Sequence, residues 1–434
     1  MLRRKVSEKL IEWKESKNNK CLVVQGARQV GKTFSIREFA RSNYKNVLEI
    51  NFKESPSAME IFKGDIDIKS LIMAIRFRYP QIDLIPKESV IFLDEIQECP
   101  EAITSLKFWS EDGNYDVVVS GSLLGIDYNR PSSYPVGYVE YIRMYGLDFE
   151  EFLWANNISD DMIGSIRECY ENKNVVPEAI HNRMMELFRV YSSLGGMPEV
   201  VDSFISHMDF VEVDRIQRQI LQGYQYDIAH YADSVEKIKA EKCFMSLARQ
   251  LLDKENHKFQ YKEVEHGGRA QKYYSSIEWL LRADIIRLCR VVTDVSYDLG
   301  DYARDDFFRA YTSELSLLVA MKDYGIKQHI VENTLTGNTK GGLFESVMAD
   351  ILIKKDYDLY YYKNDTTKKE IDFLIQKDEM IIPIEVKSSN SKATSLNKLL
   401  DEKKDIKEAY KFIDGNIGCA NSVYTMPLYM AMFL

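Results

Sequence analysis

The chain is poor in the features that staple, anchor or export a protein. Its 434 residues hold six cysteines, at 21, 99, 169, 243, 289 and 419, with no C-x-x-C pair. That scatter excludes a disulfide framework and a cysteine-built zinc site, and it fits reduced thiols in a cytoplasmic protein. No apolar run reaches the ~20 residues of a membrane span, so no membrane partner is expected. The opening MLRRKVSEKLIEWK is charged and lacks the apolar stretch of a secretory signal. Positive charge is not in excess either: 57 Lys+Arg face 67 Asp+Glu, a formal net charge of −10. A globally basic nucleic-acid binder is thereby excluded, whereas a local basic patch is not. What remains is ordinary globular composition, 45% hydrophobic and 29% charged, long enough for two or three domains.

One stretch organises the rest. Leu22 to Ser35 reads LVVQGARQVGKTFS and contains Gly26-Ala27-Arg28-Gln29-Val30-Gly31-Lys32-Thr33, a complete G-x-x-x-x-G-K-T followed by Phe34. Cys21 to Val24 is a short apolar run suited to a buried parallel strand, and Ile36 to Ser42 reads as a helix that opens after the loop. Glycines let backbone N–H groups close around phosphate oxygens, and the helix adds its positive end. Lys32 is placed to reach the β and γ phosphates and Thr33 to hold Mg²⁺. ATP and Mg²⁺ are the expected cofactors. The chain has no N-K-x-D or T-K-x-D, the motif that specifies guanine.

Ser89-Val90-Ile91-Phe92-Leu93-Asp94-Glu95 is a buried-strand pattern that ends in two acids. Ligands sit at that edge of open α/β sheets. Asp94 is expected to hold the Mg²⁺ water shell and Glu95 to polarise the attacking water. A third strand, Asp116 to Ser120, runs into Gly121-Ser122 and offers Ser120 either as a sensor of nucleotide state or as an ordinary strand-end serine.

At this point the chain resembles a known family. QGARQVGKT, FLDEIQ, VVVSGSLLGI, SYPVGYVEYIRMYGLDFEEFL and SSLGGMPEVV look like the AAA-type ATPases of bacteria and archaea that carry a C-terminal domain of unknown function 4143. In many such proteins the segment after Pro-Val-Gly carries an arginine that completes the catalytic site. Tyr138 follows Gly137 in this chain, and the nearest basic residues are Arg130 and Arg143.

Farther on, 158–175 is polar and reads as a soft boundary, and 176–225 as helices interrupted at Gly195-Gly196-Met197-Pro198. Residues 236–292 give the order of a winged helix, with 12 Lys+Arg against 8 Asp+Glu. Such a basic module contacts either nucleic acid or a protein partner.

Three pieces near the C-terminus belong together. A helix carries Glu345, a strand carries Asp372, and a second strand carries Glu385 and Lys387 on one face, since strand period is two. The set resembles the PD-(D/E)XK nuclease superfamily. The resemblance implies that Glu345, Asp372 and Glu385 hold a hard cation while Lys387 activates water or pins the scissile phosphate. The other reading is a scaffold without cleavage, with Glu385 and Lys387 as a surface ion pair. Leu396 to Lys411 reads as a charged amphipathic helix, and 422–434 as a final buried strand with a packing helix.

The expected fold class is α/β: an AAA-type P-loop domain at 1–160, a helical and winged-helix domain at 161–304, and a PD-(D/E)XK-like α/β domain at 305–434. The expected activity is Mg²⁺-dependent ATP hydrolysis coupled to the following modules, with DNA or a protein as partner and the oligomeric state left open. The alternative is a slow nucleotide-gated switch or a protein-binding module with an inactive nuclease-like domain.

Overall fold

The computed structural model describes residues 2–121, 135–231, 236–253, 258–364, 366, 369–389, 391–420 and 422–434. Two compact units emerge: residues 3–145 with 282–284, and 146–281 with 285–434.

The first unit is a five-stranded parallel sheet flanked by helices. Helix α1 (Val6–Ser16) buries Val6, Leu10 and Trp13, while Ile11 is 41% exposed. Strand β1 (Cys21–Gln25) leads through the glycine loop into α2 (Lys32–Asn43). There follow β2 (Asn46–Asn51), α3 (Ile68–Arg78), β3 (Ser89–Asp94), α4 (Pro100–Asp112), β4 (Asp116–Gly121) and β5 (Val139–Arg143). The spatial order is β2-β3-β4-β1-β5, and every pairing is parallel. β3 is buried along its whole length, so an unbroken apolar run is its natural sequence. All carboxyl ends therefore meet at one edge. Asn51 is registered against Asp94, and Gln25 against Gly121.

The second unit begins with helices. α5 (Phe149–Ala155) starts on an Asp148/Glu151 capping box, as its acid-rich opening predicts. The polar stretch read as a boundary is instead α6 (Asp160–Asn172), capped by Ser159 and anchored by buried Ile163 and Ile166. Two well-placed apolar residues suffice to dock a helix that composition makes look like a linker. α7 (Glu178–Leu194), α8 (Pro198–His207) and α9 (Phe210–Tyr231) are broken where the glycines and Pro198 lie.

Then come α10 (Glu236–Leu252), α11 (Tyr261–Val264), α12 (Ala270–Arg282), β6 (Ile286–Val292) and β7 (Ala303–Thr312). This is the helix-helix-helix-hairpin order of a winged helix. The hairpin, however, does not stand alone. β6 pairs in parallel with β8 (Leu359–Asn364), so β6 and β7 form one end of an eight-stranded mixed sheet. A boundary at 304/305 falls inside β7 of that sheet.

After α13 (Leu315–Ala320) and α14 (Gly325–Val331), the buried helix α15 (Gly337–Lys354) precedes β8. β9 (Lys369–Lys377) and β10 (Met380–Val386) form an antiparallel hairpin around Asp378-Glu379. The amphipathic helix expected to reach Lys411 stops earlier. α16 covers Thr394–Glu402, and Ala409–Ile413 is the fully buried strand β11, parallel to β10. Its run of five buried side chains suits a central strand rather than a half-wet helix. β12 (Gly418–Ala420), β13 (Val423–Pro427) and a buried 3₁₀ turn at Leu428–Phe433 close the chain.

Candidate functional site

The phosphate loop is shaped by close packing. A Cβ at Gly26 would lie 2.0 Å from the Met144 carbonyl oxygen, so no other residue fits there. Gly31 caps α2 with φ 94°, a conformation glycine adopts without strain. Val30 is buried, and its carbonyl accepts from Arg4 Nη1 at 3.1 Å, while Arg4 Nη2 donates to Tyr145 O at 2.6 Å. Ala27 is half-buried, and Arg28, Gln29 and Phe34 are exposed around the loop. Lys32 Nζ turns back on the loop, donating to Gly26 O at 2.9 Å and Ala27 O at 2.7 Å. Burial pushes this ammonium down to about 8, against the pull of Glu95 and Asp94.

Asp94 sits at the centre of the sheet edge. Thr33 Oγ1 donates to its two oxygens at 3.1 and 3.0 Å, Asn51 Nδ2 donates to Oδ2 at 2.9 Å, and the Ser120 hydroxyl donates to Oδ1. Burial raises its pKa, against the hydrogen bonds from Ser120 and Thr33. Three elements thus converge on one carboxylate through neutral hydroxyl and amide donors. Thr33, Asp94 and Ser120 come together as the sequence implies. Asn51 was not foreseen, although a polar residue ending an apolar strand is the signal that marks it.

Glu95 has a left-handed backbone conformation, φ 54°. Its Oε2 accepts from Gln97 Nε2 at 2.5 Å and lies 3.3 Å from Lys53 Nζ. Burial would raise its pKa, but Lys53 and Gln97 outweigh that and hold it below the usual carboxylate range. Of the two arginines noted near the Pro-Val-Gly segment, Arg130 lies outside the described residues. Arg143 Nη2 is 2.6 Å from Oδ1 of buried Asp284, which folds with the same unit.

The acids of the second unit are differently placed. Glu345, buried on α15, accepts through Oε1 from Arg309 Nη1 at 2.6 Å and Tyr311 OH at 2.5 Å. Arg309, 3% exposed at its side chain, also donates to the Asp372 carbonyl at 3.3 Å and from Nη2 to Glu370 Oε1 at 2.6 Å. Asp372 Oδ2 accepts from the Val386 N–H at 2.8 Å. Burial and then the charge of Glu345 push Asp372 up to about 6. Lys387 Nζ pairs with Glu385 Oε1 at 2.7 Å, while Oε2 of Glu385 is buried without a hydrogen-bond partner. Among the described residues no three His, Cys, Asp or Glu side chains are spaced to hold a metal ion. Of the expected trio Glu345, Asp372 and Glu385, Glu345 is bound to a guanidinium. Arg309 and Tyr311 share a face of β7 by strand period, and an arginine within Phe308 to Thr312 was the available signal.

Among the described residues, four of the twelve basic residues of the 236–292 module pair within it. Lys239 pairs with Glu236, Lys242 and Lys272 with Glu265, and Arg249 with Glu263. No helix among the described residues is long and apolar enough to cross a membrane.

A parallel sheet with strand order β2-β3-β4-β1-β5, a glycine loop after β1 and an acid at the end of β3 defines an AAA-type P-loop domain. Residues 18–153 match the family AAA_14, described as an AAA domain. Residues 185–328 match a domain of unknown function, DUF8612, and residues 340–425 match another, DUF4143. Solved structures similar to this chain include the Walker-type ATPase PABY2304 of Pyrococcus abyssi, at 13% identity and TM-score 0.44, covering 74% of this chain and 96% of that one. The AMPPCP-bound DnaA of Aquifex aeolicus is similar at 15% identity and TM-score 0.30, covering 63% and 85%. The replication initiator DnaA bound to AMPPCP and single-stranded DNA is similar at 13% identity and TM-score 0.32, covering 64% and 87%. No curated protein matches the chain.

Proposed function

We propose that the chain is a Mg²⁺-dependent ATPase whose N-terminal unit binds ATP at Gly26 to Phe34. The observation that carries this reading is the convergence of Thr33, Ser120 and Asn51 on Asp94 beside the phosphate loop. ATP supplies the phosphates for which Lys32 would leave the Gly26 and Ala27 carbonyls. Thr33 would hold Mg²⁺ directly and Asp94 its water shell, with Ser120 and Asn51 keeping the carboxylate aimed. Glu95 would release Lys53 and accept a proton from the attacking water. The pairing of Glu95 with Lys53, together with that of Arg143 with Asp284, supports slow turnover and so the related reading of a nucleotide-gated switch. The second unit would then carry the response to a partner, DNA or protein.

Steady-state ATP turnover of the purified chain, with and without DNA, tests the activity and its partner. Turnover is expected in Mg²⁺ and absent in EDTA. Lys32→Ala should abolish ATP binding in calorimetry without changing the circular dichroism spectrum. Unchanged ATP affinity in that variant would overturn the assignment of the loop.

A further inference from the structure

We infer that in the C-terminal acid cluster the buried guanidinium of Arg309 stands where a nuclease-like site would take a divalent cation, so this cluster is closed without a metal. The inference is independent of the ATP site. Glu345, Glu370, Asp372 and Glu385 provide four carboxylates. Three cations face them: Arg309 between Glu345 and Glu370, Lys363 2.9 Å from Glu370, and Lys387 on Glu385. The cluster is left with one negative charge, a balance that an added dication would reverse.

Geometry points the same way. Arg309 donates to two carboxylates and the Asp372 carbonyl, and its guanidinium lies 4.5 Å from the centre of the Tyr361 ring. Three N–H directions of the planar fork thus meet an acceptor, and its face meets a π ring. Tyr311 adds a second donor to the same Oε1 of Glu345. A cation ligated through Oε1 of Glu345 would have to displace both donors and would leave the arginine buried beside it. A dication and a fully buried guanidinium repel strongly at such range. Among the described residues no three His, Cys, Asp or Glu side chains are grouped to hold a metal ion.

The test uses the full chain in a Lys32→Ala background, which silences the nucleotide site. Melting followed calorimetrically should be the same in EDTA and in excess Mg²⁺ or Mn²⁺. Arg309→Met, which leaves the acids uncompensated, should lower the melting temperature by at least about 5 °C. Arg309→Met with Glu345→Gln should regain part of that loss, because charge and counter-charge leave together. If the single variant fails to fold, the comparison is read between Arg309→Lys, expected to fold and to ignore Mn²⁺, and the double variant. Plasmid DNA in Mn²⁺ should be cut no faster than by an Asp372→Asn control. Three results would each overturn the inference. They are a Mn²⁺-dependent rise in melting that Asp372→Asn removes, an Arg309→Met chain as stable as its parent, and DNA cleavage lost in Asp372→Asn.

Discussion

The two acid clusters of this chain are built from similar material and finished in opposite ways. Asp94 and Glu95 end a buried parallel strand; Asp372 and Glu385 lie on paired strands with Glu345 on the helix above. Neutral donors from Thr33, Ser120 and Asn51 reach Asp94. They orient a carboxylate but leave its charge, so a cation is still wanted. Glu345 and Glu370 instead share a buried guanidinium, so the charge is already answered. The comparison teaches that an acid pattern in a strand says little about metal use until the partners on other strands are known.

The largest effects should come from exchanging one acid in each cluster. Glu95→Gln should keep ATP affinity within a few-fold and cut turnover about 10²- to 10⁴-fold, the usual share of a general base. Melting should barely change. Glu345→Gln should do the reverse, destabilising the second unit by about 1–3 kcal/mol because the buried Arg309 loses one of its two carboxylate partners and keeps Glu370, while ATP turnover persists. Stopped turnover in Glu345→Gln, or wild-type turnover in Glu95→Gln, would dissolve the contrast.

Proton binding sharpens it next. Lys32 is held down to about 8 by burial. Its charge, which the phosphates need, is present below that pH and lost as pH rises through it. ATP affinity measured by titration should therefore weaken about tenfold between pH 7 and pH 9, one unit past the midpoint. Flat affinity over that range would mean that Lys32 stays charged or does not meet the phosphates.

The smallest effect concerns the half-exposed Lys53–Glu95 pair, 40% and 31% exposed. Such pairs contribute at most about 1 kcal/mol. Lys53→Met should raise turnover by no more than about fivefold if the pair holds the base away from water. A fall in turnover would show Lys53 helping the reaction instead.

Local sequence marked the glycine loop of the first unit and the strands beside it. The glycine loop, the strand into Asp94-Glu95 and Ser120 are contiguous signals, and parallel strands with buried faces can only bring their carboxyl ends to one edge. Local signals also placed α5 through its Asp148 cap and the β9–β10 hairpin. They misread 158–175, where two buried isoleucines turn a polar stretch into a docked helix, and 403–411, where burial in the sheet overrides an amphipathic helix pattern. What only the tertiary structure decided is partnership across the chain. Asn51 meets Asp94 over 43 residues, Arg309 meets Glu345 over 36 and Glu370 over 61. Sequence periodicity fixes which face a side chain takes, but the charge it meets is set by a twisted eight-stranded sheet. In that interior an acid is stable only with whichever counter-charge the fold brings to it.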